Sequence, residues 1–131
     1  MAEQDVYYQT RRVIQYPVLP ITIHAATKAA SSDSIIDSGA DFSLFNQEVA
    51  EKLEIQIETG KPIQLTGIGG KITAYFHEVE IQLFDKKVKC KVLFSKQFKW
   101  HTNLLGRNGF FETHEITFRE KEKKIHVKEV Y

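Results

Sequence analysis

Residues 34–43 read SIIDSGADFS, and this stretch decides the fold. Ser34, Ile35 and Ile36 have the character of a strand, and Gly39-Ala40 turns the chain straight after it. Asp37 stands at the junction. A carboxylate in that place either ends the strand by turning to water or is held at the strand's end because chemistry is wanted from it. The rest of the chain has to decide.

Working outward, the apolar residues beyond position 63 recur at every second place: Ile63 and Leu65; Ile72, Ala74 and Phe76; Val79, Ile81 and Leu83; Val88, Cys90, Val92 and Phe94. Side chains alternate between the two faces of a strand, so each series predicts a half-buried strand. TGIGGK (66–71) and DKK (85–87) supply hairpin turns, and ITFREKEKKIHV (116–127) reads as a final hairpin with a charged tip. One segment has a different period. In NQEVAEKLEI (46–55), Asn46 is an N-cap, Gln47 and Glu48 fill the first turn, and Val49, Ala50 and Leu53 form an apolar stripe, which predicts one short helix.

Before the acid, VIQYPVLPITIHA (13–25) is rich in β-branched and aromatic residues. Pro17 and Pro20 each lack an amide donor, so this segment is an edge strand or a strand interrupted by a bend. TKAASSD (27–33) reads as turn-like. Residues 1–12 are polar apart from Val6, Tyr7 and Tyr8 and form an N-terminal extension, flexible unless it pairs with a neighbour. Residues 13–131 then make a single domain, long enough for one core and too short for two lobes of ordinary size.

Composition excludes several classes. Eighteen basic side chains against seventeen acidic ones leave a net charge of +1 with no long block of either sign, so no nucleic-acid partner is expected. No apolar stretch approaches the roughly 20 residues that span a bilayer and no signal peptide is recognisable, so the chain reads as soluble and cytoplasmic without a membrane partner. Cys90 is the single cysteine and cannot form an internal disulfide, which fits a reducing compartment. Its alternation with Val88 and Val92 reads as core packing rather than as a thiol nucleophile. The five histidines are scattered without paired spacing, so no metal and no cofactor is expected. REKEKK (119–124) reads as a solvated hairpin tip.

Three stretches remain: IIDSGA (35–40), LTGIGGK (65–71) and TNLLGRNGFFE (102–112). In this order and spacing the chain, from about residue 18 to about residue 120, resembles the retropepsins, the single-lobed aspartic proteases of retroviral type and their cellular relatives. The helix at 46–53 and the hairpin through Tyr131 make it more similar to the cellular, non-viral branch. The resemblance implies a mainly β, closed, orthogonal barrel-like fold with a flap hairpin, one short helix after the active-site loop and one C-terminal helix. It implies Asp37 as the catalytic acid and Ser38, Gly39 and Ala40 as its loop. It also implies a flap formed by Gly67, Ile68, Gly69 and Gly70, whose glycines permit positive φ, and a structural ion pair between Asp41 and Arg107. Phe98, Trp100 and Leu104 are candidates for a substrate pocket, with core packing the other reading of Phe98 and Trp100.

Peptide hydrolysis without metal or covalent intermediate needs one carboxylate to take a proton from water while a second, protonated, carboxyl donates to the scissile carbonyl. Two carboxyls about 3 Å apart cannot both ionise, so they share a proton, as aspartic proteases illustrate. Only Asp37 among the five aspartates precedes a Ser-Gly pair. Asp33 lies four residues earlier on the same extended segment, roughly 13 Å away at ~3.3 Å per residue. The second acid is therefore expected from a second copy across a two-fold axis, giving a homodimeric aspartic endopeptidase acting on a peptide or protein substrate. The alternative is a non-catalytic module that keeps the fold to dimerise or to bind extended peptides.

Overall fold

The computed structural model describes residues 2–67 and 70–130. The alternating series form strands, in chain order β1 (Glu3–Tyr7), β2 (Gln9–Arg11), β3 (Ile14–Tyr16), β4 (Val18–Ala25), β5 (Lys28–Ile36), β6 (Leu44–Phe45), β7 (Lys61–Gly67), β8 (Gly70–Gln82), β9 (Lys87–Phe94), β10 (Asn103–Leu105), β11 (His114–Arg119) and β12 (Lys124–Glu129). Helix α1 (Gln47–Lys52) follows β6. Its N-cap is Asn46, whose side chain accepts from the Val49 N–H at 3.2 Å, and it turns Val49 and Ala50 into the core.

Seven strands form one sheet in the order β4-β5-β10-β6-β9-β8-β7. β4 also pairs with β8, Ile23 lying opposite Ile81, which closes the sheet on itself as a barrel and leaves β7 outside the closure. β10 runs parallel to β5 and antiparallel to β6, so it is wedged between them. The core inside carries Leu19, Ile23, Phe45, Val92, Phe94, Leu105 and Phe110, all 1 % exposed or less. At about 1.5–3 kcal/mol for each large apolar side chain buried, this cluster is the main source of stability.

One segment departs from the sequence expectation, and two others settle alternatives the sequence left open. TKAASSD, expected to be turn-like, lies almost wholly in β5, with the turn confined to Ala26 and Thr27. Its small polar residues carry no hydrophobic period, yet Ala30, Ser32 and Ser34 face inward. Burial of those hydroxyls is supported by a contact between Ser32 Oγ and Ser34 Oγ at 3.0 Å and by Asn103 Nδ2, which donates to Ser32 Oγ at 2.6 Å. The N-terminal residues do pair with a neighbour: β1 lies antiparallel to β12 in a second sheet ordered β1-β12-β11, with Val6 opposite Ile125. β2 and β3 form a separate small hairpin, and Pro17 marks the break between β3 and β4.

The C-terminal helix takes the form of one irregular turn over Arg107–Phe111. Asn108 and Gly109 leave helical geometry there, Gly109 at φ +82°. The Glu112 carboxylate accepts from the Gly109 N–H at 2.6 Å and the Thr113 hydroxyl donates to the Gly109 carbonyl at 2.5 Å, so the polar groups freed by the kink are satisfied locally.

Candidate active site

Asp37 is the first residue beyond β5, and the end of that strand is held from both sides. The Ile36 N–H donates to the Pro17 carbonyl at 3.0 Å and the Asp37 N–H to the Leu105 carbonyl at 2.9 Å. The chain then reverses, with the Ala40 N–H returning to the Asp37 carbonyl at 3.2 Å. The Gly39 N–H donates to Asp37 Oδ1 at 2.9 Å, which fixes the rotation of the carboxyl group. A Cβ at position 39 would lie 3.2 Å from that same oxygen, so glycine allows the amide its close approach. Asp37 is half-buried and Ser38 is exposed. The acid is thus firmly oriented while its surroundings on the loop side stay open.

The loop is braced by the segment after β10. The Arg107 N–H donates to the Ala40 carbonyl at 2.8 Å, the Asn108 N–H to the Asp41 carbonyl at 2.9 Å, and the Gly106 N–H to Ser43 Oγ at 3.0 Å. The Arg107 guanidinium and the Asp41 carboxylate form an ion pair on the outside of this junction. Both side chains are more than half exposed, so the pair adds little stability; the backbone contacts and the buried Gly106–Ser43 bond hold the loop.

Of the glycines expected at the flap, Gly67 and Gly70 form the last pair of the β7–β8 ladder. Only Gly70 of these two has positive φ, at 116°; Gly67 belongs to the extended ladder and does not use that freedom. Ile68 and Gly69, assigned from sequence to the flap tip, lie outside the described residues. Beneath the hairpin, Ile63, Leu65 and Ile72 share a half-buried apolar bed with Phe42, Phe76 and Leu104, seated on buried Leu44, Ala74 and Leu93. Phe42 and Phe76 meet edge to face at 5.0 Å. Phe98 joins this bed.

Trp100 does not. It stands on another wall, 6.3 Å edge to face from Tyr16, and lines a cleft of about 780 Å³ with Arg11, Arg12, Ile14 and Ile35. The three pocket candidates are therefore divided between two apolar surfaces. The β2–β3 contribution to the cleft was not found from sequence, where residues up to 12 read as extension. The alternation of Ile14 and Tyr16 about Gln15 was the available signal.

Three of the four remaining aspartates have partners of their own: Asp33 pairs with Arg11 at 3.3 Å, Asp41 with Arg107, and Asp5 with His126 at 2.7 Å. Among the described residues no group of three or more histidine, cysteine or acidic side chains could hold a metal ion, and no helix is long and apolar enough to cross a membrane.

The barrel with its external hairpin and braced acid loop defines a single-lobed acid-protease architecture. Residues 28–108 match the family model described as aspartyl protease, and the chain belongs to that family. In fold it is similar to the retropepsin-like aspartic protease from Rickettsia conorii, at TM-score 0.70 and 17% identity over 96% of this chain and 98% of that one. It is also similar to EIAV protease complexed with the inhibitor HBY-793, at TM-score 0.54 and 20% identity over 76% of this chain and 88% of that one. No curated protein sequence matches the chain.

Proposed function

We propose that the protein is an aspartic endopeptidase active as a homodimer, in which Asp37 and Asp37 of a second copy share one proton and activate water between them. The observation that carries this reading is the Asp37 carboxyl itself, half-buried at the end of β5 and oriented by the Gly39 amide. In the paired state the ionised member takes a proton from water and the protonated member donates to the scissile carbonyl oxygen, after which the proton passes to the leaving amine. Ser38 lies on the exposed side of the loop, where its hydroxyl can brace the opposite copy. The hairpin of β7 and β8 serves as the flap over an extended peptide, and the apolar bed beneath it favours apolar side chains near the cut.

The test is cleavage of an unfolded protein or a peptide library between about pH 4 and 7, the range in which a proton-sharing pair works. Asp37→Asn and a pepstatin-type inhibitor should each abolish it, and mixing wild-type with Asp37→Asn chains should lower activity beyond simple dilution. Cleavage that survives Asp37→Asn refutes the mechanism. A verified dimer that binds peptides and never cuts them favours a non-catalytic binding module.

A further inference from the structure

The cleft beside Trp100 has two properties that a general apolar groove lacks. Its floor includes Ile35, two residues before Asp37 and roughly 7 Å from it along the chain. Its walls expose large apolar groups: Ile14 is 53% and Trp100 46% exposed, and Val13 at the hairpin tip 92%. Solvent-facing apolar side chains gathered at one place mark a surface built to be covered. The cleft's volume is that of a small-ligand site and exceeds what one side chain fills, so a residue and its neighbour enter together.

Charge decides which neighbour. The basic lining residues are Arg11, Arg12, Lys99 and His101, with no carboxylate among the lining, on a chain whose net charge is only +1. Arg11 is already engaged, with Asp33 at 3.3 Å and Gln9 at 2.8 Å. Arg12 and Lys99 form no ion pair among the described residues, and both are exposed. A free guanidinium presents a planar fork that matches a carboxylate, and an ammonium beside it adds a second attraction of the same sign.

Resting on the protease reading of Asp37, we propose that this cleft selects polypeptide substrates in which a large apolar or aromatic side chain, seated against Trp100 and Ile14, is followed or preceded by Asp or Glu held by Arg12 and Lys99. A basic residue at that place is repelled.

The experiment uses the full chain and a set of extended peptides with one fixed aromatic residue and Glu, Gln or Lys placed in turn at each adjacent position. At low salt, kcat/KM for the best Glu peptide should exceed that of its Gln twin by about three- to tenfold, with Lys lower still, and the spread should narrow as ionic strength rises. In Arg12→Glu/Lys99→Glu the order should reverse. Trp100 is the only tryptophan, so its fluorescence also reports peptide binding to Asp37→Asn, where nothing is cut. Cleavage without any ranking of Glu, Gln and Lys overturns this inference and leaves the protease reading standing. The same ranking in fluorescence titrations of a wild-type dimer that never cleaves supports the cleft and overturns the protease reading. A ranking unchanged in the doubly reversed variant overturns the assignment to Arg12 and Lys99.

Discussion

Gly106 lies so close to Phe42 that a Cβ built on it would stand 2.5 Å from the Phe42 carbonyl carbon and 2.6 Å from its oxygen. Both atoms are backbone, and the Ala40 carbonyl oxygen is only 2.8 Å away, so no side chain can swing aside to make room. This contact is where the acid loop and the strand beside it meet.

Gly106→Ala should therefore destabilise the fold by about 1–3 kcal/mol, the usual cost of overpacking a closed interior site. Urea unfolding checks it. If the protease reading holds, activity should fall further than stability, because the displaced backbone is the one that receives the Asp37 loop.

Asn103 is 3% exposed and joins three elements at once. Its Oδ1 accepts from the Asn46 N–H at the start of α1 at 2.8 Å, while its Nδ2 donates to Ser32 Oγ on β5 at 2.6 Å. Asn103→Ala removes both bonds and leaves the Asn46 amide without its acceptor, for an expected loss of about 2–4 kcal/mol. A urea midpoint unchanged from wild type would show that water or repacking replaces the network.

Cys90 is buried, and burial, reinforced by the Glu112 carboxylate, pushes its thiol up to about 12. The thiolate is the reactive form, so a disulfide reagent at about pH 8 should leave the native protein unmodified and react fully once it is unfolded. Cys90→Ala should keep whatever proteolytic activity the wild type has. Rapid labelling of the native thiol would contradict the packing described here.

His114 is buried between Phe110, stacked at 4.8 Å, and Phe84 at 6.1 Å. Its Nδ1 lies 3.0 Å from the Phe110 carbonyl, which can only accept, so that nitrogen carries the proton of the neutral ring. Burial lowers its pKa below the ordinary 6.5. Above that value neither state is charged. As pH falls through it, the unfolded chain takes up the proton first, so stability declines with acidification until the folded imidazole also titrates. His114→Phe should flatten that part of the profile, seen as a smaller drop in urea midpoint between about pH 7.5 and 5.5. An identical drop in wild type and variant would remove His114 as its source.

Much of this was legible in the chain, for identifiable reasons. The strands beyond Ile63 could be read because apolar and polar residues alternate there, and α1 because Asn46 and the Val49, Ala50, Leu53 stripe announce it. Asp37 stood out because IIDSGA is followed, in order, by LTGIGGK and TNLLGRNGFFE on a β-patterned chain; an Asp-Ser-Gly by itself fits any turn. β5 could not be read before Ser34, since its inward residues are alanine and serine and its polar partner, Asn103, lies far along the chain. The kink at Gly109 was equally hidden. Nothing local distinguishes a glycine that opens a helix from one at φ +82° packed so close to Cys90 that a Cβ there would sit 2.4 Å from the Cys90 Cβ. The separation of Trp100 from Phe98 is likewise a tertiary fact, set by Tyr16 on one side and the β7–β8 hairpin on the other.

The wedge of β10 between β5 and β6 has a bearing on how the protein comes into being. On the ribosome Asp37 emerges long before Leu105, whose carbonyl holds the acid's own amide. A nascent chain that has passed its aspartate still lacks the piece that locks it, and pairings distant in sequence are the slow ones to form. Maturation of the loop therefore waits until Leu105 has been made, and a copy that stops short of it holds Asp37 without this backbone anchor.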